Sequence, residues 1–79
     1  MFTVYVLRSE DGRLYKGMTN NLVRRFKEHG CGKTKTTSTM QNLKIVYTEE
    51  YENFDGARSR ELYLKTASGR RFLKTVLPS

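Results

Sequence analysis

The chain has 79 residues, too few for a second domain, so we expect one domain spanning residues 1–79. Lys and Arg number 15 against 8 Asp and Glu, and the net charge of +7 should attract polyanions, nucleic acid first and an anionic membrane surface second. Apolar runs are short and no signal peptide opens the chain, which predicts no membrane span and a cytoplasmic location.

The first predicted elements form a β-hairpin. The β-branched and aromatic run Phe2–Arg8 predicts one strand, residues 13–17 predict the next, and Asp-Gly within residues 9–12 is a strong turn signal. Tyr5 and Tyr15 then lie on paired strands, so their phenols can be close enough to share a site. Hairpin tyrosines are usually cross-strand packing residues, and the pattern alone favours packing.

The first helix is predicted over residues 22–29. Residues 19–21, Thr-Asn-Asn, offer N-cap side chains, and Gly30 stands where a C-cap glycine is common. Leu22 and Phe26 are four residues apart and should form the core contact of this helix.

Arg25 and His29, also four apart, project together along an adjacent edge of this helix. A cation that grips phosphate beside a group that titrates near neutrality suits phosphoryl transfer, although a solvated helix face is the commoner meaning of this spacing. Cys31, the only cysteine, excludes an intrachain disulfide. A catalytic thiol beside His29 is the alternative, but a single cysteine between glycines is more typical of an ordinary loop residue.

A long loop and a third strand follow. Residues 30–42 are polar, basic and without periodicity, which predicts a mobile loop of the length that is often functional. Lys44–Tyr51 alternates and predicts a strand with Ile45, Tyr47 and Tyr51 on one face.

Two helices are predicted to close the chain. Asp55 is the expected N-cap of a helix from residue 56 or 57 to 66, and Gly69 is expected to end it before a short basic helix that stops near Val76. The order β-β-α-β-α-α predicts an α/β (α+β) fold, in which helices flank a small three-stranded sheet, mixed or antiparallel.

Glu61 is the most informative residue of the second helix. Ala57, Glu61 and Leu64 share one helical face, so the carboxylate falls in the stripe expected to pack against the sheet. Burying it needs compensation by a metal ion, an arginine or protonation. An ion pair with Arg25 or a nearby lysine is as consistent with the spacing as a metal site.

Taken together, these segments resemble the GIY-YIG nuclease superfamily, in particular its small stand-alone bacterial members. Residues 3–5, Thr-Val-Tyr, occupy the first tripeptide of that name, and residues 15–17, Tyr-Lys-Gly, occupy the second. Arg25, His29 and Glu61 match the family's later positions in the correct order, and the resemblance covers nearly the whole chain.

The resemblance implies a three-stranded antiparallel sheet flanked by helices and a divalent-metal-dependent endonuclease of little sequence specificity. Its substrate would be nucleic acid, DNA rather than RNA, with branched and single-stranded forms among the candidates. Glu61 would hold one Mg²⁺ or Mn²⁺, while Tyr5 or Tyr15 would act as general base. Arg25 would stabilise charge at phosphorus, and His29 would orient or protonate.

Gly17 would end the second strand where the backbone must turn closely. Basic residues outside the site are expected to hold the phosphate backbone, although any one of them can be only a solubilising charge: Lys16, Lys33, Lys35, Arg58, Lys65, Arg70 and Arg71. No Asn follows Asn53, so the family's late asparagine has no counterpart. The alternatives are therefore a non-catalytic binding module and a catalytic subunit that needs a protein partner.

Overall fold

A computed structural model describes residues 1–30 and 42–77, with the backbone alone for residues 29 and 30. The elements are β1 (Phe2–Arg8), β2 (Leu14–Thr19), α1 (Leu22–Gly30), β3 (Lys44–Tyr51), α2 (Phe54–Leu64) and α3 (Ala67–Val76). This is the predicted order, and the α+β class is confirmed. The predicted loop after Gly30, with Cys31, Lys33 and Lys35, lies outside the described residues.

The sheet has the order β2-β1-β3, and both strand pairs are antiparallel. Of the two arrangements left open by the sequence, the antiparallel sheet is therefore correct. The central strand β1 is covered on both faces, so Val4, Tyr5, Val6 and Leu7 are all buried. This explains why β1 reads as a continuous apolar run rather than as an alternating one.

The main core lies on the sheet face that carries Val4 and Val6. These side chains pack with Ala57 and Leu64 of α2 and with Leu73 of α3, and each of the five is at most 1% exposed. Removal of this apolar surface from water is the main stabilisation of the fold. Among residues 1–30 and 42–77, no helix is both long and apolar enough to cross a membrane.

The predicted core contact of α1 is not part of the main core. Leu22 and Phe26 are half-buried and do not belong to the cluster around Val4 and Val6. Helix α1 instead reaches the other face of the sheet, where its Arg25 side chain hydrogen-bonds to Tyr5. Sequence spacing identifies the inward side of a helix but not which layer it faces.

The predicted face of Ile45 on β3 is also wrong. The register with β1 shifts between Val6 and Leu7, so Tyr47 pairs with Val6 while Ile45 pairs with Leu7. Val46 packs on the main core, and Ile45 is 40% exposed. A bulge of this kind places residues two apart on opposite faces, which strict alternation cannot anticipate.

The N-cap of the second helix lies earlier in the chain than predicted. Asn53, not Asp55, is the N-cap, because its side chain accepts a hydrogen bond from the Gly56 backbone N–H at 2.9 Å. Asp55 lies in the first turn, where a negative charge interacts favourably with the helix dipole.

Gly69 does not end a helix, contrary to the prediction. Helix α2 ends at Leu64, and Thr66 caps α3 by accepting a hydrogen bond from the Gly69 N–H at 3.1 Å. A Cβ on Gly69 would lie 2.1 Å from the Tyr63 carbonyl oxygen and 2.5 Å from the Leu64 Cα. The glycine is therefore required because the two helices approach closely at this point.

Candidate active site

Two tyrosines lie side by side on the sheet face opposite the main core. Tyr5 is directly opposite Gly17 across the β1–β2 pair, and Tyr15 pairs with Leu7 one step away on the same face. The ring centroids of Tyr5 and Tyr15 are 6.2 Å apart. The hairpin thus brings together the two phenols that the sequence singled out.

Gly17 makes room for the Tyr5 ring. A Cβ at this position would lie 2.6 Å from Tyr5 Oη and 3.1 Å from Tyr15 Cε1. The expectation that Gly17 ends the second strand is wrong, since β2 continues to Thr19. The close approach that requires glycine is between a phenol and the strand, not within a turn.

Arg25 joins the two phenols from α1. Its guanidinium hydrogen-bonds to Tyr5, to Tyr15 and to Glu28, and the Arg25–Glu28 ion pair measures 3.2 Å. The hydrogen bond with Tyr5 is the largest of several effects that raise the pKa of Arg25, so the group is a permanent cation.

Helix α1 is held in this position by the predicted cap region. The Asn21 side chain accepts a hydrogen bond from the Arg24 backbone N–H at 3.1 Å, and the Asn21 N–H donates to Thr19 Oγ1. Because Thr19 is the last residue of β2, this cap fixes the start of α1 to the strand that carries Tyr15.

The surroundings of Tyr5 favour its protonated form. Its side chain is 1% exposed, and burial raises its pKa to about 12 against the opposing effect of the Arg25 hydrogen bond. The charges of Tyr15 and Glu61 also raise the pKa. Tyr15 is half-buried, so it reaches solvent beside the same guanidinium.

Glu61 is buried as its spacing predicted, with 6% of its surface exposed between Ala57 and Leu64. Its Oε1 accepts from Arg58 at 2.7 Å, and its Oε2 accepts from Lys65 at 3.2 Å. Glu61 therefore forms the predicted ion pair with a nearby lysine, Lys65, and a second one with Arg58, whereas Arg25 is not its partner. The negative charge of Glu61 also acts on Tyr5, whose pKa it helps to raise.

Glu61 could bind a divalent cation only if the other ligands of the ion were water molecules and substrate phosphates. Among the side chains that the structure describes, which do not include that of His29, no group of three His, Cys, Asp or Glu could hold a metal. Mg²⁺ often keeps several waters and binds through one or two carboxylates together with substrate phosphates. Glu61 suits such an ion, provided that Arg58 or Lys65 gives up its carboxylate oxygen.

The remaining predicted residues are less well defined. His29 lies in α1 one turn after Arg25, and its side chain is outside the described part of the structure. Of the predicted phosphate-binding residues, Arg58 and Lys65 hold Glu61, and Arg71 donates to Ser68 Oγ at 3.1 Å. Lys16 and Arg70 are close enough for their charges to interact.

Sequence reasoning missed the carboxylate partners. Glu28 was not recognised as the partner of Arg25, and Arg58 was assigned to phosphate rather than to Glu61. Both pairs have the i, i+3 spacing that brings side chains together on a helix, so the signal was present.

The sequence model of the GIY-YIG catalytic domain matches residues 1–74. The chain belongs to the GIY-YIG family. It is 43% identical over 75 residues to a UPF0213 protein of Clostridium perfringens, covering 92% of this chain and 80% of that protein. It is 35% identical over 79 residues to a UPF0213 protein of Limosilactobacillus reuteri, covering 96% and 82%.

A solved structure supports the same membership. The solution NMR structure of a UPF0213 protein from Bacillus halodurans matches with a TM-score of 0.59 and 29% identity, covering 95% of this chain and 84% of that one. The relatives' names state no reaction or substrate. GIY-YIG membership places the chain in a nuclease family.

Proposed function

We propose that this GIY-YIG domain is an endonuclease that hydrolyses phosphodiester bonds in DNA, with one Mg²⁺ or Mn²⁺ and little sequence specificity. The observation that carries the proposal is the convergence of Arg25 with the two phenols of Tyr5 and Tyr15. Family membership and the net charge of +7 support a polyanionic substrate.

Arg25 would stabilise the reacting phosphate. Hydrolysis builds negative charge on the phosphoryl oxygens, and a fixed guanidinium aimed at them lowers the barrier. The Arg25 side chain is oriented in advance by Glu28 and by both phenols, so little reorganisation is needed when the phosphate arrives.

The two phenols would have different roles. Tyr5 keeps its proton at neutral pH, so its O–H is suited to donate a hydrogen bond to a phosphate oxygen or to the attacking water. Tyr15 is half-buried and reaches solvent, where an attacking water can approach it, and its side chain hydrogen-bonds to Arg25. Tyr15 is therefore the better candidate for the general base that accepts the proton of water.

Glu61 would hold the cation, which when bound screens the phosphate charge and assists the departing 3′ oxygen. Arg58 and Lys65 compensate the buried carboxylate and would yield one of its oxygens on loading. His29 is the candidate to orient or protonate. The two ion pairs of Glu61 also favour the non-catalytic alternative, because both of its carboxylate oxygens already have cationic partners.

The deciding experiment is a cleavage assay on labelled single-stranded, duplex and branched DNA and on RNA, each with Mg²⁺, Mn²⁺ or EDTA. Wild type should cut only with metal, and Glu61→Gln should bind DNA but not cut it. Glu50→Gln, which alters an exposed carboxylate, is the control and should cut normally.

Normal cutting by Glu61→Gln would show the metal assignment to be wrong. If wild type binds nucleic acid but cuts no substrate with any metal, the chain is a binding module or a subunit that needs a partner protein.

A further inference from the structure

A groove of about 440 Å³ lies between the β1–β2 hairpin and α3, and the tyrosine cluster contributes no residue to it. Four basic residues line it, and no Asp or Glu is among its lining residues. The four are Arg8, Lys16, Arg70 and Lys74. A concave surface lined by one sign of charge concentrates the field and attracts ligands of the opposite sign.

The four cations come from both walls of the groove. Lys16 pairs with Val6 across the hairpin, so Lys16 and Arg8 share the sheet face on which the helices pack. Arg70 and Lys74 are four residues apart on α3 and therefore lie on the same side of that helix. An anion in the groove would meet positive charge from the sheet and from the helix together.

Three cations of the groove, Lys16, Arg70 and Lys74, form no ion pair with a carboxylate within the described part of the chain. Burial lowers the pKa of Lys16, and the neighbouring charges of Arg70 and Lys65 lower it further. Like charges this close repel one another, and a bound anion would relieve that repulsion.

The floor of the groove is apolar. Leu14, Leu73 and Leu77 line it between the cations, and Leu73 is 1% exposed. Small-ligand clefts are typically about 300–1,000 Å³, so this one has room for a nucleotide-sized group rather than a duplex. Cations around an apolar floor suit a phosphate together with its sugar or unstacked base, more than a bare inorganic anion.

The groove is connected to the candidate site by charge. Lys65 binds Glu61 at 3.2 Å, and the charge of Lys65 also acts on Lys16 at the groove. Lys65 therefore lies near Lys16 of the groove as well as beside Glu61. This continuity favours a strand that passes through both places over a small anion that binds the groove alone.

We propose that the groove binds a single-stranded segment of nucleic acid that continues from the Glu61 site, with its phosphates held by Lys16, Arg70 and Lys74. The direction of the strand from Glu61 rests on the proposed endonuclease function, whereas binding in the groove does not. Substrates with an unpaired segment should accordingly bind better than a blunt duplex. Base stacking is not required, which agrees with the absence of aromatic residues from the lining.

The test compares Arg70→Ala with Arg24→Ala by fluorescence anisotropy in EDTA. Both residues are exposed arginines on helices, Arg70 on α3 and Arg24 on α1, but only Arg70 lines the groove. The probes are a labelled oligothymidylate and a blunt duplex of equal length. Arg70→Ala should weaken oligothymidylate binding about five- to tenfold at low salt, against about twofold or less for Arg24→Ala. Circular dichroism confirms that both variants are folded.

Equal losses in the two variants, or an equal loss on the duplex, would overturn the groove assignment. Displacement of oligothymidylate by thymidine monophosphate or inorganic phosphate at concentrations similar to that of the oligonucleotide would also overturn it, in favour of a small-anion site. Because binding is measured in EDTA, the outcome does not depend on cleavage. If the wild type never cuts, but Arg70→Ala still binds oligothymidylate more weakly than Arg24→Ala does, the endonuclease proposal is disproved and the groove assignment stands.

Discussion

Tyr5 and Tyr15 have the same side chain in different surroundings, and this difference separates their proposed roles. Tyr5 is enclosed and holds its proton, with a pKa of about 12, while Tyr15 is half-buried. Both touch the same guanidinium of Arg25. Exposure, rather than position in the motif, distinguishes the base from the hydrogen-bond donor.

We therefore expect Tyr15→Phe to lower the single-turnover cleavage rate by about 10²- to 10⁴-fold, the range for loss of a general base. Tyr5→Phe should cost less, because it removes a hydrogen-bond donor rather than the proton acceptor. Since Tyr5 stays protonated far above neutral pH, its titration should not contribute to the rate profile between about pH 6 and 9. A larger loss in Tyr5→Phe than in Tyr15→Phe would reverse the assignment.

Gly17→Ala tests the packing of this cluster. The added methyl would meet Tyr5 Oη at 2.6 Å and force the phenol away from Arg25. We expect cleavage to fall at least about tenfold, as small misplacements at a reacting centre do. Gly56→Ala is the matched control, because the nearest atoms to its Cβ are at 3.3 Å and lie outside the cluster. Equal activities would show that the position of Tyr5 is not critical.

Part of this site could be predicted from residues alone. The hairpin turn predicts that Tyr5 and Tyr15 approach, and helical spacing predicts that Glu61 is buried. Helical spacing allows several charged partners for Glu61 and Arg25, and only their positions in three dimensions select among them. Of the two partners expected for Glu61, Arg25 or a nearby lysine, the lysine is correct, while Arg25 pairs with Glu28 and the two phenols.

Among the secondary-structure elements, Arg60 and Glu49 tie β3 to the helices. The Arg60 guanidinium donates to Glu49 Oε1 at 2.9 Å and to Oε2 at 3.1 Å. It also lies 4.9 Å from the ring centroid of Tyr63 and 4.7 Å from that of Phe72. One side chain of α2 thereby contacts β3 and α3 at once.

The Glu49–Arg60 pair should make the stability of the fold dependent on pH. Burial alone would raise the pKa of Glu49, but hydrogen bonds from Arg60, Tyr47 and Tyr51 outweigh it and hold the pKa below its usual value of 4.5. A carboxyl with a lowered pKa stabilises the fold above the unfolded pKa, and this stabilisation is lost as the pH falls through the folded pKa.

The free energy of unfolding should therefore fall as the pH drops below about 4.5, and less steeply in Glu49→Gln. Near neutrality we expect Glu49→Gln to cost about 1–3 kcal/mol, since it removes hydrogen bonds to a charged acceptor. Urea unfolding across the pH range measures both, with the exposed Glu50→Gln as control. Parallel pH profiles for wild type and Glu49→Gln would contradict the assignment.

Gly69 allows α2 and α3 to approach each other more closely than a residue with a Cβ would. Gly69→Ala should destabilise the fold by about 2–3 kcal/mol through overpacking, because the new methyl would meet the backbone of Tyr63 and Leu64. Ser68→Ala, one residue earlier and exposed, should change stability by about 0.5 kcal/mol or less. Chemical denaturation of the two variants measures this difference in stability. Equal stabilities would mean that α3 can shift to accommodate the added methyl.

The boundaries and irregularities of the elements were predicted less well than the elements themselves. The existence and order of all six elements followed from periodicity and turn signals, because these are local properties of the chain. Gly69 was misinterpreted because glycine ends many helices, and its actual role is contact between two helices. The bulge in β3 likewise depends on the pairing with β1, which no local pattern encodes.

For the whole molecule, the net charge of +7 makes nucleic-acid binding sensitive to ionic strength. Each phosphate neutralised releases counterions, so the logarithm of the binding constant should fall linearly with the logarithm of salt concentration. For three to four contacts on a single strand, the slope should be about −2 to −3. Titrations between 50 and 300 mM salt would measure it. A flat response would remove nucleic acid as the main partner.

The strand β2 carries two surfaces in alternation. Tyr15 and Gly17 point to the face that holds the candidate reacting groups, and Lys16 points to the face that carries the basic groove. A one-residue slip of β2 against β1 would exchange them, placing a lysine among the phenols and a phenol in the groove. The proposed cleavage and the proposed binding of the strand thus both depend on one six-residue strand, and an insertion in the hairpin turn that shifted this pairing should disable both together.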